Sequence, residues 1–293
     1  MIGVTGSTGL IGSKIFSFLE SKGLPVRPFD LRLGQDLRNE FDRKTFLKGL
    51  DTLIHFAWKN NPRTSQDKAL EELHFNLEPT LRLFGDFAIE NPMGHIIFAS
   101  SGSLYGFGDQ KTPFKESDPL ELTSNYGVTK AAVENYLKIL TSQSGLKGTV
   151  LRISNPYGEI LGVERGQGVI GVALGCALNG PTFQLFGSPQ TTRDYIHLDD
   201  LANAFLNVVQ MNHRNENFEI FNVGSGVGIT TQEILNLVSQ ATQNKLRVNE
   251  VSTTFDPGWT ILDCSKIYKN LNWKSKIGIQ EGIQKMISKE LKR

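Results

Sequence analysis

The sequence predicts an α/β fold, a doubly wound parallel sheet with a smaller C-terminal α/β lobe. Three observations support it. Short β-rich runs alternate with helical patterns through the first half of the chain, the rhythm of strand–helix–strand units. The first run, Ile2 to Thr5, enters Gly6-x-x-Gly9-x-x-Gly12 and then a helical pattern. Beyond Pro156 the alternation loosens and glycine becomes frequent.

After Ile2 to Thr5, the stretch Leu10 to Leu19 carries Leu10, Ile11, Ile15, Phe18 and Leu19 at helical spacing. Val26 to Asp30, Thr52 to Ala57, His95 to Ser100 and Thr149 to Ser154 read as strands bounded by loop signals. Helical patterns lie between them, at Leu70 to Ile89 and Tyr126 to Thr141. Such alternation implies a parallel sheet with helices on both faces. Gly158 to Gly187 reads as glycine-rich loop, Leu198 to Met211 as helix, and Phe218 to Val223 as strand. Thr231 to Ala241 and the amphipathic stretch Gln280 to Leu291 read as helices. The expected division is a dinucleotide-binding lobe at 1–153 and a second lobe at 154–293. The segment near 195–224 is a candidate to return to the first lobe.

Composition excludes several classes. Of 293 residues, 39% are hydrophobic, enough for a packed core. Lys plus Arg is 31 and Asp plus Glu 30, a net charge of +1. No global field draws the chain to nucleic acid or anionic lipid, so neither is an expected partner. Two cysteines, Cys176 and Cys264, make no disulfide framework. They read as small buried hydrophobes. The five histidines show no metal-ligand spacing. No apolar run reaches a membrane span, and MIGVTGSTG is unlike a signal peptide. The expected location is the cytoplasm.

The glycine motif opens a helix directly after a strand. That geometry allows a tight turn, close backbone approach to a pyrophosphate, and a helix N-terminus aimed at it. Asp30 closes the second strand, 18 residues after Gly12. A carboxylate there holds ribose hydroxyls and repels a 2′-phosphate, favouring NAD over NADP. Arg32, two residues on, leaves NADP open, because a guanidinium binds that phosphate. Tyr126 and Lys130 stand i, i+4 on one helix face. A neighbouring ammonium is expected to lower the phenol pKa towards working pH, making Tyr126 a proton donor and acceptor. Ser101 lies just past a strand's end, where ligands of parallel sheets bind, but no G-x-S-x-G elbow surrounds it. In Arg193-Asp194-Tyr195-Ile196-His197-Leu198-Asp199-Asp200, Asp199 or Asp200 is expected to cap the next helix. Arg193 could pair with a diphosphate through its planar fork. His55 and His197 read as packed histidines.

Taken in order, these residues resemble the extended short-chain dehydrogenase/reductase family, in its NAD-dependent nucleotide-sugar epimerase/dehydratase branch. Val4-Thr5-Gly6 with Gly9 and Gly12 looks like the family's TGxxGxxG, and Asp36-Leu37 like its adenine-contacting pair. His55-Phe56-Ala57 resembles the loop that lies along the cofactor, and Asn76-Leu77 a later helix position. Ser101 and Tyr126-x-x-x-Lys130 match the catalytic positions. Leu151-Arg152-x-x-Asn155-Pro156-Tyr157-Gly158 resembles the start of the substrate lobe. The Arg193 motif, Asn222-Val223-Gly224-Ser225-Gly226 and Leu262-Asp263-Cys264-Ser265-Lys266 are similar to later motifs.

The resemblance implies a Rossmann-type fold, NAD as cofactor and a nucleotide-diphospho-sugar as substrate. It adds Leu10, Ile11, Leu31, Trp58, Ala99, Ile153 and Pro156 to the expected cofactor contacts, with Tyr126 and Lys130. Substrate contacts are expected from Ser101, Tyr126, Asn155, Val169, Phe186 and Arg193. The implied activity is 4-epimerisation through a 4-keto sugar. The alternatives are a nucleotide-4-keto-6-deoxysugar reductase and, more remotely, an inactive dinucleotide-binding regulator. The resemblance also implies a homodimer joined by a four-helix bundle. It would use the helix at Leu70 to Ile89 and an apolar surface of Ala131, Ala132, Val133, Tyr136, Leu137 and Leu140 on the next. Three departures matter. Gly102-Ser103 replaces the Asp-Glu of dehydratases, so 4,6-dehydration is not expected. Asp256-Pro257-Gly258-Trp259 replaces Arg-x-Gly-Asp, removing a cation usual at the diphosphate. Gly171 stands where Pro is common in the substrate loop.

Overall fold

The computed structural model describes residues 1–106, 112–162, 168–211, 217–251 and 258–291. The first half runs β1 (Ile2–Thr5), α1 (Leu10–Ser21), β2 (Val26–Phe29), α2 (Glu40–Leu47), β3 (Thr52–His55), α3 (Ala69–Glu72), α4 (Glu78–Glu90), β4 (His95–Ser101), α5 (Asn125–Gln143) and β5 (Lys147–Ile153). The second runs β6 (Asn155–Tyr157), α6 (Val169–Asn179), β7 (Phe183–Phe186), β8 (Thr192–His197), α7 (Leu198–Val209), β9 (Phe218–Val223), β10 (Gly228–Thr230), α8 (Thr231–Thr242), β11 (Val248–Val251), β12 (Trp259–Thr260), α9 (Ser265–Leu271) and α10 (Ile279–Glu290).

Six parallel strands lie in the order β2-β1-β3-β4-β5-β9. Both faces are covered, so strands such as His95-Ile96-Ile97-Phe98 are nearly continuous apolar runs. Ile15 and Leu19 of α1 and Leu201, Phe205 and Val208 of α7 cover one face. Phe46 of α2, Phe84 and Phe87 of α4, and Val133 and Leu137 of α5 cover the other. Each such side chain contributes roughly 1.5–3 kcal/mol when fully buried. Strand order reverses at β1, which pairs with β2 on one side and β3 on the other. Ligands of open α/β sheets bind beyond the carboxyl ends of the strands at such a point. This is the Rossmann-type sheet the sequence predicted.

A second core gathers Ile170 and Leu174 of α6, Ile234 and Val238 of α8, and Ile283 and Met286 of α10. Beside it β8 pairs with β10, β12 and β6, and β7 with β11. The chain then re-enters the first sheet, where β9 pairs with β5.

Three sequence readings need correction. Gly158 to Gly187 is not mainly loop, because it holds α6 and β7. Every residue from Ile170 to Ala177 is buried. A helix without a polar face has no amphipathic period to read. Its glycines admit a neighbouring chain: a Cβ on Gly171 would sit 2.5 Å from the Glu159 carbonyl, and one on Gly175 2.3 Å from that of Leu161. The cap of α7 is also different. His197 Nδ1 accepts from Asp199 N at 3.1 Å, so Asp199 and Asp200 lie within the first turn. Asp200 instead accepts from Ser275 Oγ and the amides of Lys276 and Ile277. Finally, the helix read across Leu70 to Ile89 is interrupted by a π-helical turn at Leu73–Leu77. On α5, Ala131, Val133 and Leu137 are buried in the chain's own core. Its exposed apolar residues are Val128, Tyr136 and Ile139.

Candidate active site

Gly6 turns the chain out of β1 with φ +65°. A Cβ there would lie 2.7 Å from Ala57 N, and one on Gly12 would lie 2.1 Å from the Gly6 carbonyl. Only glycine lets α1 and the loop after β3 approach this closely. Gly9 begins α1 with no side-chain cap, leaving first-turn amides for a ligand. Ser7 Oγ and Thr8 Oγ1 are buried in this turn without hydrogen-bond partners. Such orphaned polar atoms suit a bound pyrophosphate. Leu10 and Ile11 begin α1 and pack against the first core.

Asp30 follows β2 and accepts from Thr8 N at 3.1 Å and Arg32 N at 2.9 Å. Its carboxylate is thus held beside the glycine turn. Leu31 is exposed, and Arg32 donates to the Thr8 carbonyl at 3.2 Å. Asp36 is gripped by Arg38, whose Nε lies 3.0 Å from Oδ2. This holds the Asp36 carboxyl below the usual range. Leu37 packs on the second face of the sheet.

Thr5 Oγ1 accepts from Phe56 N and Ala57 N. His55 is buried between the Thr5 and Thr80 hydroxyls, and burial pushes it down to about 3. It is a neutral packing residue, as read. Trp58 follows, its ring 3.7 Å from Lys130 Nζ and edge-on to Tyr126. Trp58 Nε1 is buried without a partner. Asn76, inside the π turn, accepts from Lys59 N at 2.9 Å and holds the same loop from its other side. Rare π turns concentrate at functional sites.

Lys130 is 3% exposed and donates to the Ala99 carbonyl at 2.7 Å. Burial pushes it down to about 7, against the fields of Glu72 and Glu134. Tyr126 does not behave as the spacing predicted. Burial pushes its phenol up to about 12, and the hydrogen bond with Ser101 offsets only part of the rise. The ammonium faces Trp58, Phe98 and the Ala99 carbonyl, 5.7 Å from the Tyr126 ring centroid. Helical spacing put the two residues on one face but did not aim the charge at the phenol. Ser101 ends β4, in register with Ile153 of β5. Its hydroxyl bonds Ser103 Oγ at 2.9 Å, so a second hydroxyl stands beside it.

The chain from 2 to 224 matches the model of the NAD-dependent epimerase/dehydratase family. It belongs to that family. It is 30% identical to an Escherichia coli dTDP-4-dehydro-6-deoxyglucose reductase, over 97% of this chain and 95% of the relative. It is 29% identical to a Halalkalibacterium halodurans UDP-glucose 4-epimerase, over 93% and 90%. The NAD complex of Thermus thermophilus UDP-glucose 4-epimerase matches at a TM-score of 0.89 and 27% identity, covering 98% of this chain and 97% of that one. As a family member the chain is an enzyme, and its cofactor is NAD.

In this epimerase/dehydratase chain the expected substrate residues besides Ser101 and Tyr126 lie on β6, β8 and the ends of β7 and α6. Asn155 Nδ2 donates to the Asp194 carbonyl at 2.8 Å, and Pro156 pairs across to β8. Arg193 Nη1 donates to the carbonyls of Thr192 and Gly258. Val169 opens α6, and Phe186 is 48% exposed. Asp256 and Pro257 lie outside the described residues.

Sequence reasoning missed a strap between β3 and α3 that packs on the start of α5. Buried Ser65 accepts from Tyr126 N at 3.0 Å, and Asn125 Nδ2 donates to the Ser65 carbonyl. Arg63 on this strap reaches the second lobe, its guanidinium 4.7 Å over the Phe186 ring. Reading also missed Glu72, buried four residues before Asn76; that i, i+4 spacing was its one available signal.

Proposed function

We propose that this enzyme exchanges a hydride at C4 of a nucleotide-diphospho-sugar, as a 4-epimerase. The observation that carries the reading is the convergence of Ser101, Tyr126 and Lys130 at the carboxyl end of β4, where Tyr126 hydrogen-bonds Ser101 and Lys130 donates to the Ala99 carbonyl. Ser101 and Tyr126 would hold the C4 hydroxyl, and Tyr126 would take its proton. Lys130 would hold the cofactor's ribose, its ammonium 5.7 Å from the Tyr126 ring centroid. NAD supplies the hydride acceptor and, when oxidised, a further positive charge. That added charge would lower the phenol, which burial alone raises. Arg193 would hold the diphosphate. Asp30 favours NAD over NADP, and competing titrations of the two cofactors test that preference.

A second reading, a 4-keto-6-deoxysugar reductase, is supported by the Escherichia coli relative. The experiment is to analyse the purified protein for nucleotide. Retained oxidised NAD with interconversion of UDP-glucose and UDP-galactose supports the epimerase. Stoichiometric oxidation of NADH or NADPH by a dTDP-4-keto-6-deoxysugar supports the reductase. We propose further that two copies pair through α4 and α5, where Val128, Tyr136 and Ile139 are exposed. A 32.5 kDa particle by light scattering at micromolar concentration would defeat the dimer.

A further inference from the structure

An ammonium carries three donors. Lys130 is buried and spends one of them on the Ala99 carbonyl at 2.7 Å. It forms no ion pair among the described residues. What faces it is aromatic. Its Nζ lies 3.7 Å from the Trp58 ring centroid and 4.6 Å from that of Phe98 on β4. A cation within about 6 Å of a ring centroid is attracted by the ring's quadrupole, most strongly over Trp and where water is excluded.

The indole is placed for its face. Trp58 Nε1 is buried without a partner, so no hydrogen bond to a described residue sets the ring's orientation. Packing sets it instead. The ring lies tilted on Phe98 and edge-on to Tyr126, with 6.0 Å between centroids in each case. Asn76 holds the next residue, accepting from Lys59 N. The ring thus turns its face to the ammonium and its edge to the phenol.

The charges around Lys130 are engaged elsewhere. Glu134, one turn along α5, bonds Arg152 of β5 and Ser100 Oγ. Glu72 of α3 accepts from Asn76 Nδ2. Lys59 lies over Phe75 and pairs with Glu71. His55 of β3 is neutral. Burial pushes Lys130 down to about 7 against the fields of Glu72 and Glu134.

We propose that Trp58 is a positioning residue for Lys130: its indole face, backed by Phe98, seats the ammonium against the Ala99 carbonyl and holds it in the charged form. This rests on the reading of Lys130 as the partner of Tyr126. An aliphatic side chain could fill the same space but offers no quadrupole, so seat and packing differ in electrons rather than in shape.

Fluorinated tryptophans test the difference, because fluorine drains the ring face with little change in size. Nitrogen-15 NMR of labelled lysine, assigned with Lys130→Met, follows the Lys130 titration in the protein as purified. The attracted form is the protonated one, so weakening the attraction lowers the midpoint. It should fall stepwise through mono-, di- and trifluorotryptophan, by on the order of 1 pH unit at the last. The same series in Trp58→Phe, where only Trp259 and Trp273 carry fluorine, should be flat. Trp58→Leu should lower the midpoint at least as far as trifluorotryptophan does. A midpoint that stays or rises across the series, or in folded Trp58→Leu, overturns the seat, as does an equal slope in Trp58→Phe. Full turnover in Lys130→Met would instead overturn the acid–base reading, which separates the two failures.

Discussion

The glycine-turn end of the parallel sheet and the second lobe hold their functional side chains differently. At the first, backbone decides. Gly6 and Gly12 touch neighbouring main chain, Asp30 is held by two amides, and Lys130 is seated on the Ala99 carbonyl. At the second, Asn155 and Arg193 sit on short strands and Phe186 is half exposed, touched by a guanidinium from the opposite lobe. The contrast teaches that the residues proposed for cofactor and proton chemistry are held by the sheet's own main chain, while those proposed for the substrate sit on smaller, more exposed pieces.

Changes at the sheet end should therefore be the most severe. Tyr126→Phe and Lys130→Met should each lower turnover by about 10²–10⁴-fold, with circular dichroism unchanged. Wild-type activity in Tyr126→Phe would remove it from the chemistry.

Beneath that pair lies the Glu134–Arg152 ion pair, which also engages Ser100 and Tyr105. Glu134→Ala strands a buried guanidinium and should cost about 3–5 kcal/mol in urea unfolding. A cost within about 0.5 kcal/mol, ordinary for a surface change, would mean that the sheet end tolerates a broken network.

In the second lobe the effects should be smaller and confined to binding. Arg193→Ala should raise KM for the nucleotide sugar about 10- to 100-fold, the loss of one charge-assisted phosphate bond. NAD affinity by calorimetry should stay unchanged. If neither quantity moves, the diphosphate lies elsewhere.

The smallest effect is expected at the contact between lobes. Arg63 stacks on Phe186 at an exposed position, an interaction of about 0.5–1 kcal/mol. Arg63→Ala should change Kd for UDP or dTDP by only about 2- to 5-fold. A loss as large as that of Arg193→Ala would make Arg63 the second diphosphate cation, and the two lobes would share the substrate more evenly.

The sequence by itself determined the parallel sheet, the glycine turn and the placing of Tyr126 and Lys130 on one helix face. These follow from local rules: apolar runs for strands buried on both faces, glycine where main chains touch, and the 3.6-residue helical period. It could not determine what depends on chains distant in sequence. α6 has no polar face to read, because β7, α8 and α10 pack around it. His197 rather than Asp199 caps α7, since Asp199 is drawn to Lys14 and Asp200 to the Ser275 hydroxyl and the amides of Lys276 and Ile277. Only tertiary structure turned the Lys130 charge towards Ala99 and Trp58 and enclosed the Tyr126 phenol, so that burial raised it instead of a neighbouring charge lowering it. Desolvation is a property of the packed interior, and no spacing of residues along a helix records it.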